Sequence, residues 1–271
     1  MALTPVTLNL IGAGHLGRAL GRLFAAGGVF IIQDVLTRSR ESAQDAVGFI
    51  GAGRAVASFA ELRPADVVML AVSDDQIEAA CAALDVAAGT VLFHCSGAKS
   101  SAALAALVVR GAFTASVHPV RSFADPATVA ADFTGTLCGI EGDPQALAVL
   151  RPAFEAIGAR CVAIDAAAKT LYHAAAVFAS NYLVTVMDAA LRAYQAAGID
   201  EATARELAGP LATETLNNVL RLGARASLSG PVARGDMATV ARQQEALDGW
   251  DTGTGELYRA LAAATVTLAR R

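Results

Sequence analysis

The spacing of apolar and polar positions changes near residue 165. Before that point, short apolar runs alternate with segments whose apolar residues recur at helical spacing. Strands that alternate with helices predict βαβ units around a parallel sheet. We expect strands at 6–11, 30–36, 66–72, 90–95 and 113–117, with weaker patterns at 136–140 and 161–164.

The second part of the chain shows only helical patterns. Helices are expected at 166–197, 201–222, 236–247 and 255–269. Pro210 is expected to kink the second of these, and Asp236 is a plausible N-cap for the third. The pattern therefore predicts a doubly wound α/β domain over residues 1–164, followed by an all-helical domain over 165–271.

Composition excludes several classes of protein. Of the 271 residues, 55% are hydrophobic and 17% charged, which excludes a disordered chain. The net charge of −4 argues against non-specific nucleic-acid binding, which needs a basic face. No CxxC pair occurs, so we predict no metal site and no redox motif, and we expect free thiols in a reducing compartment. The four cysteines are Cys81, Cys95, Cys138 and Cys161.

Targeting and membrane signals are weak. The N-terminal segment lacks a basic region and a cleavage site, so no signal peptide is predicted. The longest apolar stretch, 174–187, is interrupted by Ser180 and Asn181. It falls short of the ~20 residues that a membrane span requires. We therefore expect a cytoplasmic protein without a membrane partner.

The clearest motif is the glycine loop Gly12-Ala-Gly-His-Leu-Gly17, which follows the first strand and opens the first helix. Gly12 would allow the tight turn, Gly14 the approach of a pyrophosphate, and Gly17 close helix–strand packing. The helix N-terminus offers free N–H groups to phosphates. The motif predicts dinucleotide binding, with His15 and Leu16 in the same loop; the alternative is a tight turn without a ligand.

The end of the second strand bears on the choice of cofactor. NAD enzymes usually carry an acidic residue there, which holds the ribose 2′-hydroxyl. Here the strand leads into Thr37-Arg38-Ser39-Arg40, and Asp34 is expected inside the strand. A guanidinium and hydroxyl groups suit a 2′-phosphate, so Arg38 and Ser39 favour NADP over NAD. Solvated loop residues are the alternative.

Two further loops leave the same edge of the predicted sheet. Val72 and Ser73 follow the strand at 66–72, and Ser96 follows the strand at 90–95. Ligands of open α/β folds bind at the carboxyl ends of the strands, so we expect these residues near the nicotinamide and its ribose.

Candidate catalytic residues cluster at the start of the first helix after the sheet. Lys169, one of only two lysines, and His173 are about 40° apart around a helix, and Ser180 extends the same stripe. Asn181 lies about 120° away. An ammonium group can stabilise the charge that hydride transfer leaves on a carbonyl or imine, and His173 can act as acid or base. A solvated i,i+4 pair or a core histidine is the alternative.

His118 ends the strand at 113–117 and faces the same carboxyl edge. It is a second acid/base or substrate-positioning candidate. Arg121, which follows it closely, is a candidate for binding an anionic substrate.

Several segments together resemble a known family. The glycine loop, HCSGAKSS, HPVRSF, AKTLYHAAAVFASNY and SGPVARGD are similar to a family of Rossmann-like proteins of unassigned activity, over nearly the whole chain. Their second half is a helical domain of the 6-phosphogluconate dehydrogenase C-terminal kind. More remote relatives are pyrroline-5-carboxylate reductase, ketopantoate reductase, deazaflavin-dependent NADP oxidoreductases and β-hydroxyacid dehydrogenases.

This resemblance implies NAD(P)-dependent oxidoreduction, often in dimers built through the helical domains. In β-hydroxyacid dehydrogenases a catalytic lysine is followed four residues later by an asparagine. Lys169 matches the lysine, but His173 stands at the asparagine position, which puts a β-hydroxyacid substrate in doubt.

The favoured hypothesis is an NADP-dependent oxidoreductase that acts on a small carbonyl or imine substrate. Lys169 and His173 would carry the chemistry, and Asn181 and His118 would position the substrate. One alternative is a dinucleotide-binding sensor or regulatory dimer without turnover. Another is an interaction module whose helical half serves dimerisation.

Overall fold

The computed structural model describes residues 6–271. The segment at 1–5, on which the expectation of no signal peptide partly rests, lies outside the described residues. The chain divides into two compact units, the first ending at Phe178 and the second comprising Ala179–Arg271. The sequence placed this boundary at 164/165; the structural boundary is later because the helix that begins at Lys169 belongs to the first unit.

The first unit is built on one eight-stranded sheet with the order β3-β2-β1-β4-β5-β6-β7-β8. All neighbouring strands are parallel except β6 and β7. This confirms the predicted α/β fold class. The strands are β1 (Thr7–Ile11), β2 (Ile31–Leu36), β3 (Arg54–Val56), β4 (Val67–Leu70), β5 (Val91–His94), β6 (Phe113–Pro119), β7 (Leu137–Gly142) and β8 (Arg160–Ala163).

Helices of the first unit follow the strands. Alternation along each strand produces two apolar layers, because successive side chains point to opposite faces of a sheet. In β4, Met69 belongs to the core cluster that contains Phe24 and Phe154, whereas Leu70 packs into the cluster on the opposite face. The helices are α1 (His15–Ala26), α2 (Arg40–Ile50), α3 (Ile77–Ala83), α4 (Ala105–Val108), α5 (Pro126–Ala131), α6 (Pro144–Ala156) and α7 (Lys169–Ala179).

The chain order on the sheet reverses direction between β1 and β4. The connection from β1 runs outward to β2 and β3, and the chain then returns to place β4 on the other side of β1. At such a switch point the loops that follow neighbouring strands diverge and leave a crevice at the carboxyl edge, where ligands bind. The residues that follow β1, β4 and β5 meet at this edge.

The second unit, whose residues are all described, contains helices and no strand, as the sequence predicted. Asp236 caps α12, since its side chain accepts a hydrogen bond from the backbone N–H of Thr239 at 3.0 Å. The helices are α8 (Asn181–Ala196), α9 (Glu201–Leu222), α10 (Ala224–Ser227), α11 (Gly230–Ala233), α12 (Met237–Trp250) and α13 (Thr252–Arg270).

The prediction of a single helix at 166–197 was wrong. The structure ends α7 at Ala179 and begins α8 at Asn181, and Ser180 between them has φ −128° and ψ −74°. Because these angles lie outside the helical region, the helical rotation that placed Ser180 on one stripe with Lys169 does not continue across the break.

One stretch has membrane-like length and composition. Ala166–Ala196 contains a window apolar enough to cross a bilayer, which the sequence reading of 174–187 did not find. Alone, one such stretch is weak evidence for a membrane span, because helices of soluble proteins meet the same criterion. The four cysteines are free thiols, and Cys81, Cys95 and Cys138 are buried.

Candidate functional site

The glycine loop forms a tight turn between β1 and α1. Gly12 has φ +82°, a conformation that residues with a side chain rarely adopt, and a Cβ there would collide with the carbonyl of Ala71. A Cβ on Gly17 would lie 2.7 Å from the carbonyl oxygen of Gly12, so the helix packs directly onto the turn. A Cβ on Gly14, by contrast, would meet no atom within 4 Å. The loop is therefore closed on its inner side and open where a phosphate would approach.

A cavity of about 670 Å³ opens in front of this loop. The first turn of α1 holds no acidic residue, so the positive end of its dipole faces the cavity without compensation. Two arginines and no carboxylate line the space, which suits an anionic ligand. The lining residues are Gly12, Ala13, Gly14, His15, Arg18, Thr37, Arg38, Ser42, Ala71, Val72, Ser73, Gln76 and Pro126.

Asp34, the acidic residue nearest to the end of β2, is withdrawn from this cavity. Its side chain is fully buried in the strand, as expected. Arg54 and Arg63 both donate to its carboxylate, at 2.8 and 2.7 Å. Burial alone would raise the pKa of Asp34, but these hydrogen bonds hold it at about 2. With its oxygens committed to two guanidinium groups, Asp34 is not available to a ribose hydroxyl.

The residues after β2 divide between ligand-facing and structural positions. Arg38 is exposed and lines the cavity. Ser39 caps α2 by accepting a hydrogen bond from the backbone N–H of Ser42, which is the ordinary use of serine at a helix start. Arg40 points to Glu61 and forms an ion pair at 3.0 Å. Arg38 is thus the arginine of this loop that faces the cavity.

The remaining cofactor candidates are distributed along the same edge. His15 lines the cavity, and its Nδ1 lies 2.7 Å from the carbonyl oxygen of Phe123, in the loop that precedes α5. Val72 and Ser73 line the cavity as well, whereas Leu16 packs against the apolar core. Ser96 is buried and shapes the next turn, since its Oγ accepts the backbone N–H groups of residues 98 and 99.

Lys169 is buried in the first unit. Only 1% of its side-chain surface is exposed, and its Nζ donates to Ser116 Oγ and lies 3.5 Å from Glu141 Oε1. Burial lowers the pKa of Lys169, and the carboxylate of Glu141 opposes this. Glu141, itself 6% exposed, also accepts from the backbone N–H and the Oγ of Ser101, both at 2.8 Å. The ammonium group is therefore held by β6, β7 and the turn after β5 together.

His118 and His173 meet one helical turn further along α7. Their ring centroids are 5.6 Å apart, nearly perpendicular. Burial, followed by the proximity of His173 and Lys169, lowers the pKa of His118 to about 4, so the ring is neutral at pH 7. Tyr172 approaches from the other side, with its hydroxyl 3.1 Å from His118 Nδ1. The structure thus brings together three of the four predicted catalytic residues, Lys169, His173 and His118.

Asn181, the fourth catalytic candidate, begins α8 in the second unit, and its role stays a prediction. Arg121 stays a prediction as well, and its guanidinium binds the backbone carbonyl and the carboxylate of Asp132.

Two residues of the cluster, Glu141 and Tyr172, were not predicted from the sequence. Glu141 lies just beyond the predicted strand at 136–140, and an acidic residue at the end of an apolar strand was a signal that could have found it. Tyr172 is three residues from Lys169 and shares its face of α7, so the i,i+3 spacing from Lys169 was the signal that could have found it.

Comparison with protein families gives two matches. Residues 3–119 match the model of a Rossmann-like domain, and residues 136–265 match a domain of unknown function, DUF2520. A search of curated protein sequences returned no match.

Solved structures with the same fold cover nearly the whole chain. The protein TM1727 of Thermotoga maritima is 28% identical, with a TM-score of 0.75, covering 97% of this chain and 98% of its own. BF3122 of Bacteroides fragilis, named as a candidate NADP oxidoreductase, is 20% identical, with a TM-score of 0.77 and the same coverage. A reductive aminase of Aspergillus terreus in complex with NADPH and ethyl-5-oxohexanoate is 15% identical, with a TM-score of 0.72, covering 97% and 94%. The resemblance seen in the sequence motifs is confirmed: the first part of the chain is similar to Rossmann-like domains, and the later part is similar to the DUF2520 domain.

Proposed function

We propose that the protein is an NADP(H)-dependent oxidoreductase that acts on a small carbonyl or imine substrate. The observation that carries the proposal is the cavity at the carboxyl edge of the sheet. It joins an open glycine turn and an uncompensated helix N-terminus to Arg18 and Arg38, while Asp34 is sequestered in the sheet. This combination suits a pyrophosphate and a 2′-phosphate.

The order of the strands supports an extended dinucleotide along this edge. Arg38 follows β2, Gly12 follows β1, Ser73 follows β4 and Gly97 follows β5, and these strands are neighbours in that order. A ligand with its 2′-phosphate at Arg38 and its pyrophosphate at Gly12 would extend toward Ser73 and Gly97. The fold neighbours support the same cofactor, since one of them is a complex with NADPH.

The cluster of Lys169, His118 and His173 lies next along the edge and would serve the chemistry. When bound, NADPH would supply a hydride to the substrate carbon. Lys169, whose ammonium is buried between Ser116 and Glu141, would supply positive charge to the site. His173, whose buried Nδ1 has no hydrogen-bond partner among the described residues, would exchange the proton. His118 would hold the substrate, and we keep Asn181 as a positioning candidate.

The test is a binding comparison of two arginine variants. Arg38→Ala is expected to weaken NADPH binding about 10- to 100-fold and to leave NADH binding unchanged, because charge-assisted bonds to a phosphate contribute roughly 1.5–3 kcal/mol. Arg40→Ala is the matched control, since its guanidinium points to Glu61. Isothermal titration calorimetry with both nucleotides measures the effect. Equal affinities of Arg38→Ala and the wild type for NADPH would contradict the assignment of the 2′-phosphate site.

The burial of Lys169 favours one alternative, a nucleotide-binding sensor without turnover. In that case the ammonium group would serve only to hold β6, β7 and α7 together. Tight NADPH binding without oxidation of NADPH by any carbonyl or imine in a broad panel would favour the sensor.

A further inference from the structure

The imidazole of His15 stands between the cofactor cavity and the loop that follows β6. His15 is the first residue of α1, directly after Gly14, and its exposed side chain lines the cavity. Its Nδ1 lies 2.7 Å from the backbone carbonyl oxygen of Phe123. The side chain of Phe123 packs against the main apolar core, so the segment that presents this carbonyl is anchored. The ring of His15 is therefore held beside the point where a phosphate would approach.

This contact fixes which nitrogen of His15 carries a proton. A carbonyl oxygen only accepts hydrogen bonds, so Nδ1 is the donor, and in a neutral ring Nε2 then has a lone pair and no proton. Within the described part of the chain, Phe123 is the hydrogen-bond partner of this ring, and Nε2 is left for solvent or a ligand. An Nε2 with a lone pair repels a phosphate oxygen, whereas a protonated Nε2 donates a charge-assisted hydrogen bond to it.

We propose that His15 binds the pyrophosphate of the nucleotide through Nε2 and takes up a proton from solvent when it does so. A neutral imidazole with its proton on Nδ1 becomes an imidazolium, with Nδ1–H on the carbonyl of Phe123 and Nε2–H on a phosphate oxygen. The inference rests on the proposed function. It adds a binding residue for the pyrophosphate and a pH dependence of cofactor affinity.

Two cations share the cavity with His15. Arg18, about one turn along α1, and Arg38, after β2, both line it. Arg18 lies 3.7 Å from the exposed Asp45 on α2, so its charge is only partly offset. While no anion is bound, the two guanidinium groups oppose a third positive charge on the ring. Phosphates that offset both guanidinium groups therefore favour protonation of His15.

The loop after β6 contributes a carboxylate, that of Asp125. The pKa of Asp125 is lowered chiefly by the hydrogen bond from the Thr128 side chain and by backbone hydrogen bonds at the start of α5, and His15 adds to the effect. Asp125 therefore favours the protonated ring, although its oxygens also cap α5. The lining residues that follow β1 and β4, up to α1 and α3, carry no charge. The ligand is thus the group whose arrival changes the balance of charge at His15.

The first test counts the protons taken up on binding. NADP⁺ is titrated into the full-length protein by calorimetry near neutral pH in buffers of different ionisation enthalpy. His15→Asn is the matched variant, because its amide keeps a donor for the carbonyl of Phe123 and has no group in place of Nε2. The 2′-phosphate of the ligand titrates near pH ~6 but contributes to both proteins alike. We expect greater proton uptake by the wild type than by the variant; equal uptake would overturn the proposal.

The second test measures affinity against pH. Because the liganded protein binds the proton more tightly, affinity is highest at low pH and falls as the pH rises. His15→Asn should raise the Kd for NADP⁺ about tenfold at about pH 6 and less than about twofold at about pH 9. Asp125→Asn, which keeps a capping side chain, should move the fall in affinity to lower pH. The same ratio of Kd values at both pH values would overturn the coupling to a proton.

The third test observes the ring itself. The sequence has four histidines, so the ¹⁵N NMR signals of His15 are identified by their loss in His15→Asn. Without ligand, at about pH 9, we expect the proton on Nδ1, and saturation with NADP⁺ near neutral pH should protonate both nitrogens. A free ring with its proton on Nε2 would overturn the assignment.

Failure of this inference is distinct from failure of the proposed function. Tight binding of NADP⁺ without the effects at His15 would overturn the inference alone. Absence of NADP⁺ binding by the wild type at every pH would contradict the proposed function, and the inference with it.

Discussion

The two units of the chain bury their apolar residues to very different extents. The first unit has apolar layers on both faces of its sheet, with Phe93 and Leu92 fully buried on opposite sides. In the second unit the buried hydrophobic residues are Ala204, Ala208 and Val240. Because burial of apolar surface is the main favourable contribution to folding, the first unit has the core of a self-sufficient domain and the second does not.

The leucines of α9 show what the second unit lacks. Leu211 is 59% exposed and Leu220 is 77% exposed, and the two lie on opposite sides of the helix, about 180° apart. Contiguous exposed apolar surface marks an interaction site in soluble proteins, and α9 exposes leucines on both of these sides. We propose that the second unit is completed by a second copy of the chain, as the expected homodimer requires.

The largest expected effect concerns the proposed dimer, and its loss would test the difference between the two units. Leu211→Glu places a charge at one of the exposed apolar positions of α9, so we expect the dimer to dissociate at micromolar concentration. Asn217→Glu, at a polar position about 120° around the same helix from Leu211, should leave it intact. Light scattering after size-exclusion chromatography gives the mass, against 27.6 kDa for one chain. A wild-type monomer, or an unaffected Leu211→Glu dimer, would show that α9 faces solvent.

The next effect concerns the interior of the first unit. Lys169→Met leaves Glu141 as a buried carboxylate without its cation, and we expect the free energy of unfolding to fall by about 3–5 kcal/mol. The double variant Lys169→Met/Glu141→Gln should recover much of the loss. Urea unfolding measures both values.

The other lysine supplies the control. Lys99 pairs with the half-exposed Glu78, so Lys99→Met should cost less than about 1 kcal/mol. If both lysine variants lost equally little stability, the buried pair would not contribute to the fold.

A smaller effect should appear in the pH dependence of stability. The pKa of His118 is lowered from 6.5 to about 4 by burial and by His173 and Lys169, with Asp74 opposing. Between these values the unfolded chain binds the proton that the folded protein excludes, so stability falls as the pH drops from 6.5 toward 4. The contribution is at most about 3 kcal/mol. His118→Asn should flatten the stability profile in this window; an unchanged slope would contradict the cause assigned to the shift.

Much of the fold was predictable from local pattern, and the reasons for the failures are physical. The strands with continuous apolar runs, such as β4, were found because burial on both faces leaves a strong signal. The strand β3 was missed, since it has only three residues and begins with Arg54. The break at Ser180 was missed because an apolar pattern runs across it on both sides.

The candidate site was predicted where the chemistry was local. The glycine loop and the spacing of Lys169 and His173 pointed to the carboxyl edge of the sheet, where the structure places these residues. Glu141 was out of reach because its burial makes sense only beside Lys169, which is distant in sequence. The same holds for Tyr172, because its place in the site depends on the contact between its hydroxyl and His118, which is distant in sequence.

The central claim is that the edge cavity of the first unit binds NADP(H). The most direct measurement is isothermal titration calorimetry of the wild-type protein with NADPH and NADH. The account predicts saturable binding of NADPH in the micromolar range or tighter, at least tenfold stronger than binding of NADH. No detectable binding of either nucleotide at millimolar concentration would contradict it.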